Sequence, residues 1–417
     1  MKHIFKIFVF ILCLLSIHNN ASAGFFGKIK SYFTRPPSTK TISFPEITGS
    51  YAVGTIAYHW VDRNRLEKHV ANTTTKRELM IQFWYPAIKT PQSRSEKYQG
   101  EALKKELVEE DLPPDELRGL DRIYSHAISQ APISSTLQKY PVVILSHGFG
   151  MTRFSYSAFC ENLASNGYIV IGIDHPYAAE FVRFPNGKEI RQHAKTLEDK
   201  LEEIDTCIND VRFVLDQLEQ INQEYSTSMF REKLDLSNIG IFGHSLGGAV
   251  TTHICRIEQR IKAGINMAGP IFAPQKAASF NKPFMIMQGQ EEINILLPPI
   301  TDTRLKELGL TKAQASIAGF TEKYRQAILG VRKFFNELKE NKYLITIKKM
   351  EHNGFSDSTW IKELPIFKFY EIDFGSTSLD GYKMIHILND YIIWFFDTYL
   401  KQKDSQFPEY PEAIIER

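Results

Sequence analysis

Short apolar runs alternate along the chain with longer stretches in which apolar residues recur every three or four positions. Runs that are apolar on both faces are typical of strands buried between two layers, and the longer pattern is typical of amphipathic helices. Strands are predicted at 51–60, 79–85, 141–146, 168–173, 238–242, 261–267, 283–288 and, last, 343–348. Helices are predicted at 154–166, 197–222, 249–259 and 384–400. This alternation predicts the α/β class, with a predominantly parallel sheet and helices on both of its faces.

Two segments interrupt this alternation. Residues 88–137 are polar, charged and poor in β-branched residues, so they predict a surface excursion with short helices. Residues 297–342 have mostly helical spacing and precede the last predicted strand, so they predict a helical insertion that forms a lid or wall over a site. Because α/β enzymes often exceed about 200 residues as one unit, a single domain over 41–417 accommodates both insertions.

The N-terminal residues follow a different pattern. Lys2 and Lys6 give the chain a positively charged start, and the apolar run 8–17 follows them. Ala21-Ser22-Ala23 is a small-x-small cleavage sequence. These features predict a secretory signal peptide over 1–23, and therefore a secreted or periplasmic protein. A membrane anchor is the alternative, although the apolar run is shorter than the roughly 18 residues of a membrane span. Residues 24–40 form a leader, and its aromatic and basic residues are typical of either peripheral membrane contact or a disordered segment.

Composition excludes several classes of function. The formal net charge is +2 without a long basic block, which argues against a nucleic-acid binder. Zinc-ligand spacing, a phosphate loop and a dinucleotide fingerprint are all missing from the sequence, so neither a metal nor a cofactor is expected. Cys13 lies in the predicted signal peptide, and three irregularly spaced cysteines remain of the four. They predict buried free thiols, with one disulfide as the alternative, and nothing in the sequence indicates the oligomeric state.

The strongest chemical signal is the G-x-S-x-G run Gly243-His244-Ser245-Leu246-Gly247, which lies between a predicted strand and a predicted helix. In this context a serine occupies a sharp strand-to-helix turn that lifts its hydroxyl into a cleft, and bulky neighbours would clash there. Ser245 is therefore the predicted nucleophile, and the backbone N–H of Leu246 the predicted oxyanion donor. An ordinary Gly-Ser turn is the alternative.

A second oxyanion donor is predicted in the loop His147-Gly148-Phe149-Gly150, directly after the strand 141–146. Sites built around a nucleophile elbow take this donor from the loop after the third strand of the fold. The backbone N–H of Phe149 is the candidate, and an ordinary glycine-rich strand exit is the alternative.

His352 is the predicted general base, because it directly follows the last predicted strand and the order nucleophile, acid, histidine places the base there. A serine hydroxyl is a poor nucleophile until a base takes its proton, and an imidazole that titrates near neutral pH suits this role. Among the other histidines, His147 and His244 are expected to shape the pocket, His175 follows a strand, and His253 is expected to pack on a helix.

The acidic partner of the base is less clearly marked. The loop after the strand 261–267 begins with Ala268 and holds no carboxylate, whereas the loop after 283–288 holds Glu291 and Glu292. A carboxylate there would orient the imidazole and stabilise its charged form. Glu292 is the first choice and Glu291 the second, with two solvated loop charges as the alternative. Asn266 is a further candidate that would orient the histidine without a charge.

In their order and spacing, these motifs resemble the secreted, plasma-type platelet-activating-factor acetylhydrolases and their bacterial relatives, a branch of the α/β-hydrolases. The segments that carry the resemblance are 50–54 (SYAVG), 83–86 (FWYP), 146–150 (SHGFG), 163–168 (LASNGY), 243–249 (GHSLGGA) and 352–357 (HNGFSD). The resemblance implies an α/β-hydrolase fold and calcium-independent removal of short or oxidised sn-2 acyl groups from phospholipids. It also implies Ser245 as the nucleophile, His352 as the base, and the amides of Phe149 and Leu246 as the oxyanion hole.

The sequence departs from that family at Ala268, which stands where the family carries its acid. Either the acid has moved to Glu292 or Glu291, or the triad is incomplete, and loss of the orienting acid costs about 10⁴-fold in turnover. Two other functions therefore stay open beside the phospholipid hydrolase. One is a general short-chain esterase or lipase, and the other is a secreted binding protein on a degenerate hydrolase scaffold.

Overall fold

The computed structural model describes residues 43–71, 74–98, 120, 123–193, 197–223, 228–272, 280–296, 298–307, 309–312, 315, 321–369 and 374–417. The predicted signal peptide (1–23) and leader (24–40) lie outside these residues, as do 99–119 of the first predicted insertion.

An eleven-stranded sheet forms the centre of the described structure. Its strands are β1 (Ala52–Leu66), β2 (Lys76–Ala87), β3 (Ser95–Lys97), β4 (Tyr124–Ser129), β5 (Tyr140–Ser146), β6 (Ile169–Asp174), β9 (Leu234–His244), β10 (Ile261–Met267), β11 (Phe284–Gly289), β12 (Lys342–Ile347) and β13 (Ala413–Glu416). The remaining two, β7 (Phe181–Arg183) and β8 (Glu189–Arg191), form a separate hairpin. The sheet order is β13-β12-β11-β10-β9-β5-β6-β2-β1-β4-β3. Strands β5, β6 and β9 to β12 run parallel, and β2 runs antiparallel to both of its neighbours.

Helices cover both faces of this sheet. They are α1 (Ser157–Ser165), α2 (Leu197–Gln223), α3 (Leu246–Ile257), α4 (Gln290–Leu296), α5 (Asp302–Glu307), α6 (Glu322–Glu337), α7 (Ser358–Ile361), α8 (Pro365–Phe369) and α9 (Gly381–Leu400). Helices α1 and α9 pack in one hydrophobic cluster, and α2, α3 and α6 pack in the other. Along β5, Val143 and Leu145 join the first cluster while Val142 and Ile144 join the second. β5 therefore buries both of its faces, as a parallel strand covered by helices on both sides does. The predicted α/β class is confirmed.

Two sequence predictions about the edges of the sheet were wrong, and one hairpin outside the sheet was missed. Strand β4, with a buried Ala127, adds to the sheet parallel to β1, so part of the segment 88–137 belongs to the core. Strand β12 is not the last strand, because β13 pairs with it antiparallel. The hairpin of β7 and β8 was not predicted. Such strands are short and pack through few side chains, so their sequences carry little hydrophobic periodicity.

Candidate active site

Ser245 lies at a sharp turn between β9 and α3, with a φ of +54° that non-glycine residues rarely adopt. The turn depends on its glycines: a Cβ on Gly243 would lie 2.3 Å from the Gly247 carbonyl oxygen, and one on Gly247 would lie 1.9 Å from the Ser146 carbonyl oxygen. The Ser245 N–H donates to the Met267 carbonyl at 2.9 Å, which ties the turn to the end of β10. The sequence motif thus forms the predicted strand–turn–helix geometry.

The structure brings Ser245, His352 and Glu292 into one hydrogen-bonded line. The His352 Nε2 atom lies 2.9 Å from Ser245 Oγ, and its Nδ1 atom lies 2.8 Å from Glu292 Oε1. The His352 and Glu292 side chains are 7% and 3% exposed, so water competes weakly for these bonds. A carboxylate accepts from Nδ1–H, which leaves Nε2 free to take the serine proton.

Glu292 reaches the base because α4 begins against the loop that carries His352. The Glu291 N–H donates to the Met350 carbonyl at 2.9 Å. A Cβ on Gly289 would lie 2.5 Å from the same Met350 oxygen, so only glycine permits this approach at the end of β11. Glu291, the second choice from the sequence, therefore contributes its backbone to this junction, while the carboxylate on the imidazole is that of Glu292.

The loop after β10 is held by hydrogen bonds of its own. Asn266 accepts from the Gly269 N–H at 2.7 Å and donates to Thr252 Oγ1 at 2.8 Å and to the Gly269 carbonyl at 3.1 Å. Its amide is thus committed to shaping the loop, and the structure does not place it as the partner of His352. Ala268 follows with a φ of +50°, and its N–H donates to the Met287 carbonyl.

The loop with the second predicted oxyanion donor packs directly against the nucleophile. A Cβ on Gly148 would lie 3.4 Å from the Cβ of Ser245, and Phe149 follows as a buried residue. Leu246 opens α3, and the first N–H groups of a helix have no intrahelical acceptor and carry a partial positive charge. Phe149 and Leu246 therefore flank Ser245 from two different elements of the fold.

A buried network supports this loop from behind. The His147 Nδ1–H donates to the Gly148 carbonyl at 2.8 Å, and its Nε2 accepts the His175 N–H at 3.0 Å. Burial and the neighbouring His175 lower the pKa of His147 to about 3, so the ring stays neutral. Because Gly148 C=O and Phe149 N–H belong to the same planar peptide, the bond from His147 also orients the Phe149 amide.

The same network contains Ser146, His175 and Asp210 in a second Ser-His-Asp line, with distances of 3.0 Å at both steps. These side chains are fully buried, and the Asp210 carboxylate is shared with Arg77 at 2.7 Å and Arg65 at 2.8 Å. Burial alone would raise the pKa of Asp210, but Arg77 and the bond from His175 hold it well below its usual value. This line therefore anchors the loop and offers no accessible hydroxyl.

The helical insertion reaches the site through Tyr324 of α6. Burial raises the pKa of Tyr324 well above its usual value, and the negative charge of the nearby Glu292 carboxylate raises it further. The Tyr324 ring also lies against Phe272, with a centroid distance of 6.4 Å. The insertion thus lies beside Glu292.

Cys160, Cys207 and Cys255 are buried free thiols, as predicted. Within the described part of the chain, no group of three or more His, Cys, Asp or Glu side chains is arranged to hold a metal ion. Likewise, no helix among the described residues has the length and apolar character needed to cross a membrane. His253 lies on α3 with one ring nitrogen 3.0 Å from Arg256.

Comparison with known proteins agrees with these features. Residues 37–203 match the family described as platelet-activating factor acetylhydrolase, isoform II, and residues 138–318 match the family described as serine aminopeptidase, S33. A probable 1-alkyl-2-acetylglycerophosphocholine esterase of Arthroderma benhamiae is 34% identical over 132 residues, which is 32% of each protein. A platelet-activating factor acetylhydrolase of Gallus gallus is 23% identical over 313 residues, covering 64% of this chain and 63% of the relative. The chain is related to the platelet-activating factor acetylhydrolases.

The match to the second family and the mostly parallel sheet covered by helices agree with an α/β-hydrolase type of fold. A solved ferulic acid esterase from Streptomyces cinnamoneus superposes with a TM-score of 0.67 over 90% of this chain and 100% of the esterase, at 23% identity. The match shows that the two share a fold. The chain spans about a third of the Arthroderma relative and 63% of the Gallus relative.

Proposed function

We propose that the protein is a serine carboxylic-ester hydrolase. The observation that carries this proposal is the line Ser245–His352–Glu292, joined by hydrogen bonds of 2.9 and 2.8 Å beside a strained elbow. Such a line is the arrangement that converts a serine hydroxyl into a nucleophile.

In the proposed mechanism, Ser245 Oγ attacks the ester carbonyl carbon while His352 Nε2 takes the hydroxyl proton. Glu292 keeps the other ring proton on Nδ1 and stabilises the imidazolium. The N–H groups of Phe149 and Leu246 hold the oxyanion of the tetrahedral intermediate. His352 then returns the proton to the leaving alkoxide, which departs as the alcohol. A water attacks the acyl-serine through the same base, and the carboxylic acid leaves with Ser245 restored.

The proposed substrates are phospholipids with a short or oxidised sn-2 acyl group, cleaved without calcium. The acetylhydrolase and acetylglycerophosphocholine esterase names of the relatives support this class. The steps above use side chains and amides of the chain together with one hydrolytic water molecule. A short-chain esterase acting on soluble esters is the second candidate, because the acid comes from α4, whereas the family's acid position holds Ala268.

Secretion or export to the periplasm is also proposed, supported by the signal-peptide pattern in 1–23. Expression of the full chain in a secreting host, followed by N-terminal sequencing of the exported protein, tests this. A mature N-terminus at Gly24 supports the proposal, and retention of the whole chain inside the cell contradicts it. Co-sedimentation of the exported protein with phosphatidylcholine vesicles tests the peripheral membrane contact that the sequence suggests for residues 24–40.

The activity is tested by fatty-acid release from phosphatidylcholines that differ only in sn-2 acyl length, measured in excess calcium chelator. Ser245→Ala is the blank, and a fluorophosphonate probe reports the reactive serine by mass. Release that is greatest for acetyl chains and missing in Ser245→Ala supports the phospholipid hydrolase. Cleavage of p-nitrophenyl acetate without phospholipid cleavage supports the general esterase. Failure of the folded protein to react with the probe at Ser245 contradicts both and favours the binding scaffold.

A further inference from the structure

His244, the residue before the nucleophile, joins two loops that meet at the site. It is 1% exposed, and its Nε2 atom lies 2.9 Å from the backbone carbonyl oxygen of His352. Its Nδ1 atom lies 2.9 Å from the hydroxyl of Tyr156, which in turn receives the Gly148 N–H at 2.9 Å. A continuous chain of hydrogen bonds therefore runs from the oxyanion loop to the backbone of the base.

The direction of each bond in this chain follows from chemistry. A carbonyl only accepts, so His244 Nε2 must carry the hydrogen that bonds His352. Burial, followed by the neighbouring His352, lowers the pKa of His244 well below its usual value, so the ring is neutral and Nδ1 is an acceptor. The Tyr156 hydroxyl then donates to Nδ1, since the Met151 sulfur at 2.9 Å is a weaker acceptor than a ring nitrogen.

We propose that Tyr156 and His244 are positioning residues that set the spacing between the oxyanion loop and the base loop around Ser245. This inference rests on the proposed function, because it assigns both residues to the ester hydrolase site. Neither residue contacts the reacting atoms in the proposed mechanism, and each acts through Gly148 or His352.

The fold explains why such a connection is needed. The oxyanion loop follows β5 and the base follows β12, and these strands stand four places apart in the sheet. At about 4.8 Å per strand, the two loops leave the sheet about 19 Å apart and must converge on one hydroxyl. A misplacement of about 1 Å in such a site can cost about 10²-fold in rate.

The space around Gly148 shows how closely these groups are packed. A Cβ at Gly148 would lie 2.9 Å from His244 Nδ1 and 3.1 Å from the Tyr156 hydroxyl oxygen. Removing the hydroxyl leaves the Gly148 N–H and His244 Nδ1 without their shared partner in a buried place. We expect the oxyanion loop to shift, which weakens transition-state binding more than substrate binding.

The test compares Tyr156→Phe with a matched control, Tyr85→Phe, in the full mature chain. Tyr85 is also fully buried, and its hydroxyl donates to a backbone carbonyl, that of Ala131, at 2.8 Å. Both variants lose one buried hydroxyl, so similar losses in thermal stability are expected. Only Tyr156→Phe is expected to lower kcat for p-nitrophenyl acetate, by about 10- to 100-fold with KM within about threefold.

A second pair of variants covers the case in which Tyr156→Phe fails to fold. His244→Gln places a side-chain amide N–H about where His244 Nε2 lies, so it can still donate to the His352 carbonyl. His244→Leu fills the space without a donor. The inference expects His244→Gln to retain at least about tenfold more kcat than His244→Leu at comparable stability.

The outcomes separate this inference from the proposed function. Equal kcat values for Tyr156→Phe and Tyr85→Phe, or for the two His244 variants, overturn the inference while wild-type hydrolysis stands. If the wild-type chain neither hydrolyses the ester nor reacts with fluorophosphonate, the proposed function is overturned and the positioning role falls with it. Selective loss of kcat in Tyr156→Phe and His244→Leu supports the positioning role of both residues.

Discussion

Replacement of Glu292 by glutamine removes one charge from the site with little change in volume. Its Oε1 atom lies 2.8 Å from His352 Nδ1, between side chains that are 3% and 7% exposed. Opposite unit charges about 4 Å apart interact by about 4 kcal/mol at an effective dielectric constant of about 20. Because the imidazole is charged in the transition state, the lost charge alone lowers kcat by about 10³-fold. The new amide can also donate to Nδ1 and so favour the wrong tautomer, which brings the expected loss to about 10⁴-fold.

The assay is hydrolysis of p-nitrophenyl acetate, with kcat and KM determined separately and fluorophosphonate labelling used to count reactive sites. Glu291→Gln is the matched control, because it removes the same charge one residue earlier. The Glu291 N–H donates to the Met350 carbonyl, and the substitution keeps this backbone hydrogen bond. We expect Glu291→Gln to stay within about threefold of wild type, as is usual for partly exposed substitutions outside the site.

The residual activity is also informative. Glu292→Gln should remain above Ser245→Ala, because the nucleophile, base and oxyanion donors are still present. If folded Glu292→Gln keeps more than about a tenth of the wild-type kcat, the reasoning is refuted and His352 is oriented by another group. A larger loss in Glu291→Gln than in Glu292→Gln would refute the assignment of the acid.

Three further predictions concern stability and the elbow. Asp210→Asn leaves Arg77 buried beside Glu67 with one carboxylate fewer, and urea denaturation should show a loss of about 3–5 kcal/mol. Burial raises the pKa of Glu161 from its ordinary 4.5 to about 8, so its contribution to stability is fully present below pH 4.5 and is lost as pH rises from there to about 8. Glu161→Gln should flatten the fall of Tm between about pH 5 and 8, and an unchanged slope would contradict this. Gly247→Ala places a Cβ 1.9 Å from the Ser146 carbonyl oxygen and should lower kcat at least about 10²-fold in any protein that folds.

Local sequence was sufficient for the centre of the sheet and for the nucleophile. Strands such as β5 and β6 are mostly apolar on both faces, and only a sheet covered on both sides buries such runs, so their positions follow from pattern alone. The elbow is recognised from a local motif, and Gly243 is required by a contact within the turn itself. The reason for Gly247 is tertiary, because a Cβ there would meet the Ser146 carbonyl at the end of β5. At the edges, β4 and β13 pair through few residues, and their sequences do not distinguish them from loops.

The identity of the acid required the tertiary structure. Glu291 and Glu292 are neighbours with the same chemistry, and the sequence ranked them without a physical means of separating them. Successive residues on a helix point about 100° apart, so the docking of α4 against the base loop decides which carboxylate meets His352.

The supporting contacts of the site were also beyond the sequence. Tyr156 lies 88 positions before His244, and in the sequence it belongs to a helical stretch with no sign of its partner. Asp210 likewise supports the oxyanion loop from a helix whose pattern predicted only packing. The insertion was predicted as a lid or wall, but nothing in its sequence marked Tyr324 as the neighbour of Glu292. The sequence determined the proposed nucleophile and base, because each stands in a short motif directly after a strand. The fold determined what holds those groups in place, because hydrogen bonds between distant elements leave no periodic signal in the chain.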